Sequence, residues 1–358
     1  MFNEVGVYSR QFKKTPEKIV QNGKAQFGTY LGLPQKLGIK GMRAPYAGVP
    51  LPTVISKLRI KSRLNYIFSI DKYIGMAEFI DFRIFCLAEV VFWNKETSKK
   101  YVYHTAIPTR RHFIPLNSDR GICASYRKAR YIKISWGRKH QHHALSFKVK
   151  GDSARPDAEG FFFSPMSDKM HTDCLFVSPS PSSSRCSSTW FSAMSLDGHI
   201  SLNKEPSEKS SGLGAMVMNR AYVKMHSISS RAWGLGTIKD KKIIFQLGYS
   251  NLDAADPDKY NDNVLIEDGE TTTLPSVIMT HPFGMSKKWV IQDTESMVDL
   301  TFTPESLCSR LLNLIILRRS YTTMYGTFNG VLMNSKGEKI TLKDFPGIIN
   351  RNFVRTLI

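Results

Sequence analysis

The sequence predicts an all-β protein. Apolar and polar residues alternate with period two at several places along the chain. Polar, turn-prone stretches such as NKETSKK and NSKG separate the alternating runs. No run of ten or more residues carries a convincing 3.6-residue apolar stripe, so the pattern admits only one or two short helices.

Residues 1–56 are rich in Gly and Pro, with LGLPQKLGIKGMRAPYAGVPLP at their centre, and read as an irregular lead-in packed on the first strand-rich unit. That unit covers 57–177. Its first strong strand lies around Leu64, where RLNYIFSID roughly alternates. IFCLAEVVFW (Ile84 to Trp93) and YVYHTAIP follow on either side of NKETSKK. Tyr131 to Val149 reads as a hairpin: Ile132, Ile134 and Trp136 share one face, and Leu145, Phe147 and Val149 share one face after the loop GRKHQHHA. The low-complexity segment SPSPSSSRCSS, 178–188, reads as a loop or interdomain linker. A second strand-rich unit, 189–358, contains IIFQLGY (Ile243 to Tyr249), KKWVIQD, MVDLTF and a closing hairpin, YGTFNGVLMNSKGEKITL, turning at NSKG. LLNLIIL (Leu311 to Leu317) fits a helical turn or a buried strand equally well.

The chain of 358 residues, with 42% hydrophobic and 22% charged side chains, has the composition of a soluble globular protein. No apolar run reaches the ~18 residues that span a bilayer, and the N-terminus lacks the apolar core of a signal peptide. The five cysteines are odd in number and widely spaced, with no CxxC pair. This argues against a disulfide framework and a structural zinc site, and suits a reducing, cytoplasmic location. The net charge of +20 is uneven: residues 1–150 hold 28 basic and 8 acidic side chains, whereas 151–358 hold 22 of each. A basic surface of this kind attracts anions, so nucleic acid or an anionic membrane surface is a possible partner through residues 1–150. Solvated strand faces are the plainer explanation, and no helix-turn-helix, zinc-finger or RNP-type element accompanies the charge.

Nucleotide and hydrolase signatures are absent: there is no G-x-x-x-x-G-K-[ST] loop, no G-x-G-x-x-G and no G-x-S-x-G. His140, His142 and His143 sit in a predicted turn beside Arg138 and Lys139 with no carboxylate near in sequence, a pattern better suited to an exposed charged loop than to a metal site. The acidic stretch Asp253 to Asp262 lacks the EF-hand pattern and reads as a solvated loop. No metal and no cofactor is expected.

The order of several weak motifs carries a resemblance. WVIQDTESMVDLTFTPE, then YGTFNGVLMNSKGEKI, with FGTYLGLP near residue 27, LNYIFSIDKYIGMAEFIDF…VVFW (Leu64 to Trp93) and SLDGHISLN (Ser195 to Asn203), resembles the bacterial domain-of-unknown-function family 2804. The resemblance extends over most of the chain and implies two lipocalin-like antiparallel β-barrels in tandem. More distantly it points to the carotenoid-hydratase and AttH-like superfamily, whose members bind or transform long hydrophobic molecules. Several positions depart from those relatives. VMNRAY (Val217 to Tyr222) keeps an Arg, Arg220, but lacks the acid and the Gly of D-x-x-R-G. Arg231-Ala232-Trp233 stands where an H-x-W element is expected, Tyr249-Ser250-Asn251 where Y-x-D is expected, and DFPGIINRN lacks a C-terminal Glu. Each lost group removes a proton donor.

If the resemblance holds, Arg231, Trp233 and Tyr249 lie on facing strands at the start of the second barrel. The aromatic pair would supply apolar area with one polar handle each, and Arg231 would pair with an anionic head group. The bland alternative makes Trp233 and Tyr249 core fillers and turns Arg231 to solvent. The expected function is therefore binding of a hydrophobic or amphipathic small molecule inside a β-barrel. A hydratase, isomerase or cyclase acting on a hydrophobic substrate is the alternative. In that case Tyr249, Tyr222 or His226 would handle protons and Trp233 would stabilise cationic character.

Overall fold

The computed structural model describes residues 2–4, 6–42, 59–108, 113–127, 129–205, 207–315 and 317–356; the lead-in stretch GMRAPYAGVPLP falls mostly outside them. The described residues contain no helix, and so none long and apolar enough to cross a membrane.

Short strands open the chain: β1 (Phe12–Lys13), β2 (Val20–Gln21), β3 (Lys24–Ala25) and β4 (Gly28–Leu31). The first large sheet is built by β5 (Ile60–Ile70), β6 (Tyr73–Asp81), β7 (Phe85–Asn94), β8 (Lys100–Pro108), β9 (Arg120–Arg127), β10 (Arg130–Gly137), β11 (His142–Val149), β12 (Ala158–Pro165), β13 (Thr172–Pro179), β14 (Cys186–Leu202) and β15 (Ser210–Tyr222). The second comprises β16 (His226–Ile238), β17 (Lys241–Ser250), β18 (Val264–Glu267), β19 (Glu270–Thr273), β20 (Ile278–Thr280), β21 (Trp289–Gln292), β22 (Val298–Leu314), β23 (Leu317–Met333) and β24 (Lys339–Thr356).

The first sheet runs β8-β7-β6-β5-β15-β14-β12-β11-β10-β9. It curls until its edges approach: Arg127 Nη2 donates to the Ala106 carbonyl at 3.2 Å, and Arg130 donates to the carbonyl of His104. Strand β14 serves two partners, β13 along Cys186–Ala193 and β12 along Asp197–Leu202. The second sheet runs β19-β18-β17-β16-β24-β23-β22-β21-β20, with β24 returning beside β16. The result is one nearly closed barrel followed by a half-barrel.

The Ser/Pro-rich segment 178–188 lies within the first sheet, between β13 and β14, which pair directly. The passage from one sheet to the next comes instead between Tyr222 and His226. Low complexity there marks a hairpin turn, because a polar connection serves equally well within a sheet as between two. The lead-in touches both sheets: β1 joins β4 and through it β13, while Tyr8 packs into the core of the second sheet. The LLNLIIL stretch is neither a helix nor one buried strand. It is the tip of the long β22–β23 hairpin, with Leu314 paired to Leu317.

Side-chain parity explains the layering. In the first sheet, Tyr66, Phe68, Phe79, Phe92, Phe147, Phe162 and Trp190 fill the barrel interior. On β5, β6, β7, β14 and β15 the opposite face is also buried, because it packs against the second sheet: Ile67, Met76, Val91, Trp93, Phe191 and Val217 meet Trp233, Leu235, Ile244 and Ile348. These strands therefore read as continuous apolar runs. Strand β12, whose outer face meets water, alternates cleanly between buried and exposed positions.

Curvature uses glycine opposite an aromatic ring. Gly75 pairs with Phe92, Gly121 with Trp136, Gly160 with Phe147 and Gly234 with Phe245. At Gly121, Gly160 and Gly234 the paired ring lies over the glycine, closer than any Cβ would permit, and over Gly75 the ring is that of Phe68; at Gly160 an added Cβ would sit 2.4 Å from the Phe147 ring. Gly160→Val should therefore destabilise the protein by about 1–3 kcal/mol through overpacking, read as a lower urea midpoint at unchanged m-value.

Candidate functional site

The parity that makes the inter-sheet face apolar at its centre makes it polar at one end. Along β5, Ile67 is followed on the same face by Asn65, Arg63 and Lys61. On β15, Val217 is followed by Asn219, and on β16 Trp233 is followed by Arg231. On β24, Ile348 is followed by Asn350 and Asn352. The two sheets diverge there and leave a cavity of about 170 Å³. Its wall includes Arg63, Asn65, Thr189, Asn219, Arg231, Tyr249, Asp253, Asp262, Arg319 and Asn352, with Ile80, Phe82, Val217 and Val354 as apolar patches.

Two ion-pair networks organise this end. In the first, Glu78 of the first sheet lies between Arg63 of its own sheet and Arg319 of the other. Arg63 Nε pairs with one Glu78 oxygen, and Arg319 Nη2 reaches the other at 3.3 Å. Arg63 also donates to Asn350 Oδ1 at 2.8 Å, Arg319 Nε donates to Asn352 Oδ1 at 2.7 Å, and Asn350 Nδ2 donates to Thr323 Oγ1 at 2.7 Å. Arg319 stacks on Tyr321, 3.9 Å from the ring centroid. In the second network, Arg231 Nη2 pairs with Asp262 Oδ2 at 2.6 Å, Thr189 Oγ1 donates to the same oxygen at 2.8 Å, and Asn219 Nδ2 donates to Thr189. Burial pushes the Glu78 carboxyl up, but the Arg63 and Arg319 guanidinium groups more than reverse this and hold it below the ordinary carboxylate range.

Both networks leave donors over. Arg231 Nη1 and Arg319 Nη1 are buried and have no hydrogen-bond partner among the described residues, and both side chains line the cavity. Asn65 Oδ1, on the facing wall, is also unpartnered. At the rim, Asp253 accepts from the Ser250 amide at 2.8 Å. Desolvation first and the neighbouring Asp262 second raise its carboxyl above the ordinary range; the residue is exposed, so solvent tempers the effect. The rim loop is strapped by the N-terminal segment: Arg10 Nη2 donates to the Asn263 carbonyl at 2.9 Å and Tyr8 Oη to that of Asp258.

The sequence candidates fall in different places. Arg231 and Tyr249 line the cavity, with Tyr249 at the rim and 43% exposed. Trp233 is wholly buried between the sheets and donates from Nε1 to Gln246 Oε1 at 2.9 Å, as a core filler would. Tyr222 closes one end of the first core beneath the Arg185 guanidinium, which lies 5.2 Å from its ring centroid. His226 is exposed at the start of β16, where its carbonyl accepts from Asn251 Nδ2. Arg220 is buried, donating to Ser62 Oγ and to the carbonyls of Ile114 and Pro115. Glu78, Arg63, Arg319 and Thr189 were not singled out from sequence, and Asp262, expected at the end of a solvated loop, is instead largely buried against Arg231. A charged residue inside an apolar strand run, as Glu78 is in YIGMAEFID, was the available signal. Of the basic residues in the N-terminal part, Arg120, Arg127 and Lys148 are exposed, and Lys148 pairs with Glu159 at 2.7 Å.

A nearly closed barrel and a half-barrel sharing one face, with a cationic cavity at its polar end, define a tandem antiparallel β-barrel protein. The chain belongs to the family described as domain of unknown function (DUF2804), whose model matches residues 42–355. No curated protein sequence matches it. Among solved structures, it is similar to CghA, with a TM-score of 0.44 at 10% identity over 82% of this chain and 87% of that one. CghA with Sch210972 aligns at a TM-score of 0.44 and 9% identity, covering 83% and 88% of the two chains. Kievitone hydratase from Nectria haematococca aligns at 0.38 and 9%, covering 83% and 89%. Likenesses this loose assign no residue a role.

Glu78→Gln would leave two guanidinium groups buried without their counter-charge, at a cost of about 3–5 kcal/mol in denaturant unfolding. The pH dependence has a definite sign. A carboxyl whose folded pKa is depressed contributes stability above its unfolded pKa and loses it as pH falls through the folded value. The wild-type protein should therefore lose stability below the ordinary carboxylate range, and Glu78→Gln should show a shallower acid limb in melts taken across that window.

Proposed function

We propose that this protein binds a small amphipathic molecule with an anionic or strongly accepting head group, in the cavity between its two sheets. The observation that carries this reading is the pair of buried, unpartnered guanidinium nitrogens, Arg231 Nη1 and Arg319 Nη1, on one cavity wall. Leaving such donors unpaired is costly, and a carboxylate, phosphate or carbonyl oxygen is the partner a guanidinium takes. Ile80, Phe82, Val217 and Val354 offer the apolar part of the ligand a dry surface. The ligand's place differs from the sequence expectation of a barrel interior, because the first barrel is filled by its own aromatic side chains. The five cysteines are buried and none forms a disulfide, which is compatible with a reducing, cytoplasmic setting.

Displacement of a fluorescent fatty-acid probe, followed by native mass spectrometry of the purified protein, tests the reading. Arg231→Gln should weaken probe binding about 10–100-fold, as expected for loss of a charge-assisted hydrogen bond, with the far-UV spectrum unchanged. Failure of the wild-type protein to bind the probe or retain any amphiphile would sink the proposal.

One observation favours a second reading, proton-transfer chemistry on the bound molecule: a carboxyl raised toward neutrality, Asp253, stands at the rim beside Tyr249. Asp253 would donate or accept the proton and Tyr249 would orient the substrate. Under this reading Asp253→Asn abolishes turnover of a hydratable or isomerisable ligand while leaving its binding intact. Turnover that persists in the variant removes Asp253 from the chemistry.

A further inference from the structure

Strand β14 divides two polar regions. Thr189 faces the inter-sheet cavity, and its neighbour Trp190 faces the interior of the first barrel. There, at the end of the barrel near the β10–β11 turn, His143 of β11, His171 just before β13 and Asp173 on β13 converge. One ligand-type atom from each lies within 4.8 Å of the others. His171 Nε2 is 3.5 Å from Asp173 Oδ2, and the His143 and His171 rings are 5.3 Å apart. Asp173 is oriented by Trp190, whose Nε1 donates to Oδ1 at 2.8 Å.

The polar atoms here are conspicuously unmatched. His143 is wholly buried, and neither of its ring nitrogens has a partner among the described residues. His171 Nδ1 is likewise unpartnered, as are the buried hydroxyls of Ser164 and Ser192. Ser164 stands directly opposite His143 in the sheet, and Ser192 directly opposite Asp173, so both hydroxyls point to the same side as the cluster. Orphaned polar groups gathered in one place indicate a missing ion or water. Two imidazoles and a carboxylate are the donor set of a first-row transition ion, and a carboxylate fixed by an indole N–H has the outer-shell support such sites use.

We propose that His143, His171 and Asp173 bind a divalent first-row transition ion, zinc being the test ion, with a serine hydroxyl or water completing the shell. The ligand atoms need to draw together by about an ångström to reach zinc–ligand distances of about 2.0–2.2 Å. The side chains of His171 and Asp173 are 12% and 11% exposed, so the site lies just beneath the surface and an ion can enter. The opposing charge is Arg138, whose Nη2 lies 3.2 Å from Asp173 Oδ2 and whose side chain is 34% exposed. The ion would displace this guanidinium toward solvent.

The test is dialysis of the chelator-stripped full chain against Zn²⁺ with metal analysis, repeated with Co²⁺ and its visible absorption. One equivalent should bind, accompanied by a rise in melting temperature. His171→Ala and His143→Ala should each weaken binding at least about 100-fold, since even outer-shell changes cost 10–100-fold. Arg138→Gln should bind as tightly as wild type or more so. Should His143→Ala fail to fold, His171→Ala, at the less buried residue, decides alone. Absence of stoichiometric metal, or metal binding indifferent to His171→Ala and thus seated on exposed histidines such as His140, overturns the proposal; the orphaned atoms would then belong to buried water.

Discussion

The structure depends on one shared surface. Two curved sheets press their faces together, and the contact is held apolar at its middle by residues such as Trp93, Val217, Trp233 and Ile348. At its polar end a single carboxylate, Glu78, joins a guanidinium from each sheet. Burying these charges is tolerable only because each finds a partner. The cavity lies where long charged and polar side chains replace the aliphatic ones of the dry middle. Site and interface are thus one feature, and the polar end of each strand is positioned by the packing of its apolar middle.

Much of the fold was legible in sequence. The Tyr131–Val149 hairpin and the NSKG turn fall where alternation and turn chemistry place them, because these strands have one wet face and one dry face. The class of fold and the family were legible as well. The sheet boundary was not. A Ser/Pro-rich segment has the same composition whether it links two bodies or two paired strands, and pairing between β13 and β14 is a long-range choice that local pattern does not encode. The run from Tyr73 to Trp93 showed little alternation for the opposite reason, since both faces of those strands are buried.

The site was legible only in part. Arg231 and Tyr249 reached the cavity, whereas Trp233 follows the same strand face inward to the dry interface, two residues from Arg231. Tyr222 sits in another core and His226 in solvent, which one-dimensional proximity to Arg231 could not reveal. The residues that complete the networks come from β6, β14, β23 and the loop before β18, so their partnership is purely tertiary. His143 shows the same limit: His142 and His143, expected in a turn, open strand β11 and point to opposite sides, and the carboxylate that faces His143 is thirty residues away.

The strap formed by Tyr8 and Arg10 has a consequence for synthesis. Its anchors lie about 250 residues further along the chain, and β16 likewise waits for β24, which is made only after the seven strands between them. Until then the outward face of β5–β7 is a bare oily surface with no mate. The inter-sheet cavity is consequently a late product of biogenesis, and a nascent chain arrested before β24 would be a natural client for chaperones.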